Sequence, residues 1–264
     1  MDLTMSKWEE FEILATNHLN ENFNEFATFT RLGGADSTIP DIQANTKTGK
    51  EFYIEAKCGN AQCGQFVLQP DIATSTFIYT AKNPINKYAK EIIEFMNKDF
   101  EAFKEAGTAG KIIDMPAKTF INWITKINAD KNVKYFITDD FVLVPLEKLE
   151  EFFDVTARYR VKRSGSGSVP KAKVDNVIDK IKTLPISSGI TEYRKINGKL
   201  FVKAENNIHN QRFVYEGNEY MFSQRDDEYE VRKLSNTFNA NVIFTISLKN
   251  KDDKYKAEFV KLLK

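Results

Sequence analysis

The chain has 264 residues and a mass of 30.3 kDa, enough to bury a large core as one elaborated domain or one and a half. Its 38 Lys and Arg against 37 Asp and Glu leave a formal charge of +1, so no global field draws in a polyanion, and any nucleic-acid surface must be a local basic patch. Hydrophobic residues at 42% and charged residues at 28% are those of a soluble globular protein, and no apolar run reaches the length of a membrane span.

Cys58 and Cys63 form a lone C-x4-C pair with no histidine nearby, which is a poor zinc site and reads as two reduced thiols. Met1–Lys7 holds no apolar signal core. Together these give a cytoplasmic expectation.

Ser6 and Glu9 have the spacing of a capping box and predict a helix to about Phe23. Trp8, Phe11, Ala15 and Leu19 recur at helical spacing and are expected to face the core. Glu12 sits at the edge of that stripe, and a solvated helix acid like Glu9 and Glu10 is one reading of it. His18 reads as a surface or half-buried residue without a catalytic role.

Ile39–Ile42 and Phe52–Lys57 then read as two short strands around the polar turn Asn45–Lys50. Alternation puts Phe52, Ile54 and Ala56 on one face and Tyr53, Glu55 and Lys57 on the other. A turn centred near Thr48 sets Asp41 across from Glu55. Two carboxylates and the Lys57 ammonium then meet at one end of the sheet. Burying three charges is unfavourable, and a divalent cation between the carboxylates would offset that penalty.

Hard oxygen donors with open positions suit Mg²⁺, with the Ala56 carbonyl as a further ligand. Lys57 is placed to orient or deprotonate a water, or to neutralise a pentavalent phosphorus centre. This is the chemistry of phosphodiester hydrolysis. The plain alternative is a surface hairpin with solvated charges.

Beyond Lys57, Cys58–Gln69 is polar and glycine-bearing, then strand-like. Asn60 and Gln65 are candidates to approach a phosphate backbone, the alternative being an ordinary exit from a strand. Pro84-Ile85 opens a second helix whose stripe, from Ile85 through Phe103, ends near Gly107. Pro116 opens a third, to about Asn128. Val133–Thr138 and Phe141–Pro145 read as strands, and Leu146–Phe152 as a short helix. Strands alternating with helices indicate an α/β class with a central mixed sheet flanked by helices.

The composition shifts near residue 156. Arg158–Lys173 holds six Lys and Arg and no acid. Arg158, Arg160 and Lys162 project from one face of a predicted strand, and a flexible Ser/Gly loop follows. Arg160, Lys162, Arg163, Ser164 and Lys171 are therefore candidate DNA contacts, against the reading of a solvated linker. The last third is mostly strand and closes on a helix from Tyr255 to Leu263. Within it Asn207 and Arg212, in an amide-dense stretch, are candidate base readers, where the alternative is a simple turn. The expected division is residues 1–155 as catalytic core and 156–264 as a β-rich recognition part, the alternative being one continuous domain.

Pro40-Asp41 followed by Glu55-Ala56-Lys57 resembles the PD-(D/E)xK nuclease signature, and no other pair of matches in the chain has hairpin spacing. The likeness covers mainly residues 6–69. A chain of this size without a helicase part is similar to type II restriction endonucleases. That resemblance implies a Mg²⁺-dependent cut of double-stranded DNA leaving a 5′-phosphate, frequent homodimers, and a partner methyltransferase protecting host DNA. It also implies a metal-site role for a first-helix glutamate after an aromatic residue, here Glu12. The alternatives are a structure-specific repair or recombination nuclease and a catalytically silent DNA-binding module.

Overall fold

The computed structural model describes residues 6–34, 39–81 and 84–264. Of Met1–Lys7, the stretch without an apolar signal core, residues 1–5 lie outside the described residues.

The helix Lys7–Phe23 begins where its capping box closes, with the Ser6 N–H and hydroxyl donating to Glu9 Oε2 at 3.1 and 2.7 Å. Phe11, Ala15, Leu19 and Phe23 are buried as their spacing requires. Trp8 corrects the expectation. It is 45% exposed, because the first turn runs past the core and puts its ring on the wall of a cleft.

Chain contacts divide the molecule into two units, Met1–Arg160 with Ala240–Lys264, and Val161–Asn239. In the first, Ala27–Arg31, Ile42–Thr46, Glu51–Lys57, Val133–Thr138 and Leu143–Pro145 lie side by side in that order as one sheet. Only the pair Glu51–Lys57 and Val133–Thr138 is parallel, so the sheet is mixed. A parallel pair needs a long crossover, and the connection includes the helix Ala117–Ala129.

The closing helix Lys256–Leu263 returns to this first unit. Phe259 meets the rings of Phe23, Phe29, Phe52 and Tyr135 at centroid distances of 4.9 to 6.3 Å. The last 25 residues thus belong with the N-terminal part, a different division from a single break near residue 156. Nothing local in residues 240–264 announces this, since the helix's apolar face finds its partners more than 100 residues upstream.

A second sheet, whose residues lie mainly in the first unit, orders Thr76–Tyr79, Asn60–Asp71, Phe238–Leu248, Phe153–Arg163 and Lys111–Ile112. The expected long second helix is two pieces, Lys87–Asn97 and Phe100–Lys104. Asn86 caps the first by accepting from the Ala89 N–H at 2.9 Å, and Pro84-Ile85 stays outside it.

The second unit is built on the sheet Ile190–Ile196, Lys199–Ala204, Glu228–Leu234, Asn218–Arg225 and Arg212–Tyr215. Val177 and Ile181 of the helix Val174–Lys182 share its core with Leu200, Val202, Tyr220 and Phe222. The expected flexible Ser/Gly loop is in part a strand. Ser166–Ser168 pairs with Arg232–Leu234, and the Arg232 guanidinium donates to Ser166 Oγ (2.8 Å) and to the Ser166 carbonyl (2.6 Å). Glu230, almost fully buried, holds that guanidinium at 2.9 Å, and its own carboxyl lies below the usual range despite burial, through bonds from Arg232 and Ser168.

Candidate active site

The hairpin register pairs Ile42 with Ile54, Gln43 with Tyr53, Ala44 with Phe52 and Asn45 with Glu51. One step further along the same ladder sets Asp41 opposite Glu55. The register is held at one end by the turn, where the Lys50 N–H donates to Thr46 Oγ1 at 2.9 Å and Gly49 takes a φ of 84°. At the other end the Asp41 carbonyl accepts the N–H groups of Leu32 and Gly33 at 2.9 and 3.1 Å. Phe52 and Ile54 are buried on the core face, so a one-residue slip would bring them to the polar side.

The three charged groups meet. Asp41 Oδ2 accepts from the Ala56 N–H at 2.8 Å and from Lys57 Nζ at 3.0 Å, and the same Nζ lies 2.6 Å from Glu55 Oε2. Glu55 is 7% exposed, and burial pushes its carboxyl above the usual range. Burial also opposes the charge on Lys57, but the Glu55 and Asp41 carboxylates outweigh it and hold the ammonium protonated beyond its ordinary range.

Glu12 is not a solvated acid. It is 5% exposed, and Arg31 reaches its Oε2 with both Nε and Nη2 at 2.9 Å. Burial first, then the Asp41 charge, raises its pKa. A Cβ on Gly33 would stand 2.1 Å from the same oxygen, so glycine is what lets the chain pass there. Arg31 is a site residue that the sequence does not announce, since nothing local links it to a glutamate 19 positions earlier.

Among the described residues no three acidic, His or Cys side chains converge as a complete metal cage. The Asp41 and Glu55 carboxylates, flanking a point now spanned by an ammonium and opening on a cleft, are hard oxygen donors with room left for water. That donor set fits Mg²⁺, which keeps much of its own hydration.

These residues open onto a cleft of about 720 Å³, with Trp8, Glu12, Asp41, Glu55 and Lys57 among its walls. Asn60 and Gln65 line it too, both exposed, on the strand that follows Lys57. Here the comparison with solved proteins is decisive. The HhaI endonuclease, solved in complex with DNA, is 36% identical to this chain, matches over 97% of each chain, and superimposes with a TM-score of 0.70. The chain belongs to the HhaI endonuclease family. Its mixed α/β architecture is accordingly the restriction-endonuclease-like one. No protein-family model and no curated protein matches it.

Within this HhaI-endonuclease-like frame the remaining candidates fall elsewhere. Arg160 is half-buried at the end of the first unit, and its Nε has no hydrogen-bond partner among the described residues. Lys162 is exposed. Arg163 is occupied, paired with Glu219, bonded to the Ser235 carbonyl at 3.4 Å, and 5.4 Å from the Phe238 ring centroid. The Ser164 N–H and hydroxyl are engaged with Thr237.

Lys171 is exposed with its stem over Gly198. Asn207 accepts from the His209 N–H at 2.9 Å, an Asx turn, while Arg212 is exposed and only 3.4 Å from Glu219. Both thiols are free, and no helix among the described residues is long and apolar enough to cross a membrane.

Proposed function

We propose that this chain is a Mg²⁺-dependent, sequence-specific endonuclease of double-stranded DNA, working in a restriction–modification system beside a cognate DNA methyltransferase. The observation that carries the reading is the Lys57 ammonium bridging Asp41 and Glu55 at the end of the hairpin, in a chain of the HhaI endonuclease family. In this reading Asp41, Glu55 and the Ala56 carbonyl hold the cation, and the signature is that of the PD-(D/E)xK nucleases.

When bound, Mg²⁺ supplies an acidified water and positive charge against the phosphate oxygens. The protein's own groups do the rest. Lys57 lies against the scissile phosphate and neutralises charge growing on it or orients the attacking water. Glu12, fixed by Arg31, holds that water's position from the helix side. The Asp41 bond to the Ala56 N–H keeps the carboxylate aimed. In-line attack breaks the bond to the 3′ oxygen and leaves a 5′-phosphate. Residues 156–239, with Lys162, Lys171 and Arg212 exposed, supply DNA contacts in this reading. The enzyme acts as a homodimer in the cytoplasm.

The test is incubation of purified protein with plasmid and phage DNA, with Mg²⁺ or EDTA, beside Lys57→Ala. Discrete bands that need both Mg²⁺ and Lys57 support the reading. Nicking that follows DNA structure and ignores sequence points to a repair or recombination nuclease. DNA that is shifted but uncut points to a silent binding module.

A further inference from the structure

Along a regular strand, residues three apart face opposite sides, because side chains alternate. Gln62 and Gln65 do not obey this. The strand Asn60–Asp71 pairs Gln65 with Ile243 and Gln62 with Thr245, so Cys63 and Gly64 together stand opposite the single residue Phe244. This is a β-bulge, and its extra residue brings both glutamines to one side. Gly64 makes it feasible. Its φ is +112°, and a Cβ there would stand 2.8 Å from the Trp123 ring. The Cys63 and Phe66 side chains are buried, while Gln62 and Gln65 are exposed and line the cleft that holds Asp41, Glu55 and Lys57.

The two amides meet, with Gln62 Nε2 donating to Gln65 Oε1 at 3.3 Å. That contact uses one acceptor and one donor, leaving Gln65 its NH₂ group, a donor, and Gln62 its carbonyl, an acceptor, together with the second N–H of Gln62 Nε2. Phosphate oxygens accept only, so a pair that offers an acceptor beside its donors matches a base edge better than the backbone. A base-pair edge can present an acceptor beside a donor, as guanine O6 beside cytosine N4, or adenine N7 beside N6, in the major groove.

We propose that Gln62 and Gln65 act together as a base-reading pair, selecting one base pair next to the scissile phosphate, with the Cys63–Gly64 bulge as the device that aims them. This rests on the nuclease reading above and adds to it the residues that decide specificity.

The test uses a library of randomised duplexes, cut with Mg²⁺ by the wild type, Gln62→Met, Gln65→Ala and Gln65→Glu, with the ends sequenced. Thermal melting of each variant monitors folding, which exposed glutamines should leave unchanged. Gln65→Ala and Gln62→Met are expected to relax discrimination at a single position near the cut by about 5- to 150-fold, with the rest of the consensus retained. Gln65→Glu exchanges the NH₂ donor for an acceptor oxygen at the same size, and should shift the preference toward a base presenting a donor.

An unchanged consensus with a uniform loss of rate in all three variants overturns the proposal, since a backbone contact or a structural role behaves that way. Wild-type cutting with no consensus also overturns it, while leaving the nuclease reading intact. A wild type that cuts no DNA under any condition removes both.

Discussion

Lys57 Nζ stands 2.6 Å from Glu55 Oε2, closer than its 3.0 Å approach to Asp41 Oδ2, so the ammonium spans the gap between the two carboxylates. In the proposed function a small divalent cation would be held by this same pair of acids. Lys57→Ala should therefore lower the cleavage rate by at least about 10²- to 10³-fold, the scale seen when one preorganised charge partner is removed. It should also leave two facing carboxylates without a cation. Added Mg²⁺ should then raise the melting temperature of Lys57→Ala more than that of the wild type, and calorimetry with and without EDTA reads this directly.

Gly33→Ala offers a way to disturb Glu12 without touching it. The new methyl group would overlap Glu12 Oε2, the far end of a flexible side chain, so the carboxylate must swing and loosen its bonds to Arg31. The expected result is a loss of kcat on the order of tenfold or more with KM for DNA little changed, since a misaimed group forfeits the transition state more than binding. A variant with wild-type kcat would show that Glu12 has no part in the reaction.

Glu12 contributes one part of the pH dependence of the metal-free protein, beside Glu55, which burial raises as well. Its folded pKa is raised above the unfolded value near 4.5, by burial first and then by the Asp41 charge. The folded state thus binds the proton more tightly. As pH falls from neutral toward 4.5 the native protein takes up a proton the unfolded chain does not, and this group's contribution to stability increases. Melting temperatures measured in EDTA should therefore improve, from pH 7 to pH 5, more for the wild type than for Glu12→Gln. The opposite ordering would mean the Arg31 pairing outweighs burial.

Cys63 is 4% exposed on the strand that follows Lys57, and burial pushes its thiol up to about 12. Its thiolate fraction at pH 8 is then on the order of 10⁻⁴, and the thiolate is the reactive form. Mass spectrometry after a short iodoacetamide pulse should find Cys58, which is half-buried, labelled before Cys63. Cys63 should react only once the protein unfolds.

Phe259 touches four aromatic rings contributed by the first helix and the first sheet. Phe259→Ala should cost about 3–5 kcal/mol, the usual range for emptying a buried phenylalanine site. Chemical denaturation would measure it, and a loss below about 1 kcal/mol, small for any buried truncation, would mean the closing helix is dispensable.

What the amino-acid order determined by itself is local. The capping box at Ser6 and Glu9, the Thr46–Lys50 turn and the period-two run from Phe52 to Lys57 specify a helix and a hairpin through contacts a few residues long. The turn then sets one end of the register that places Asp41 against Glu55. Tertiary structure decided what depends on partners far along the chain. It joined Arg31 to Glu12 and placed Trp8 on a cleft wall. It turned the Ser166–Ser168 stretch into a strand on Arg232–Leu234, and drew residues 240–264 back to the N-terminal unit. The bulge at Gly64 belongs to this second class. Strand alternation predicts Gln62 and Gln65 on opposite faces, and only pairing with the strand Phe238–Leu248 inserts the extra residue that brings them together.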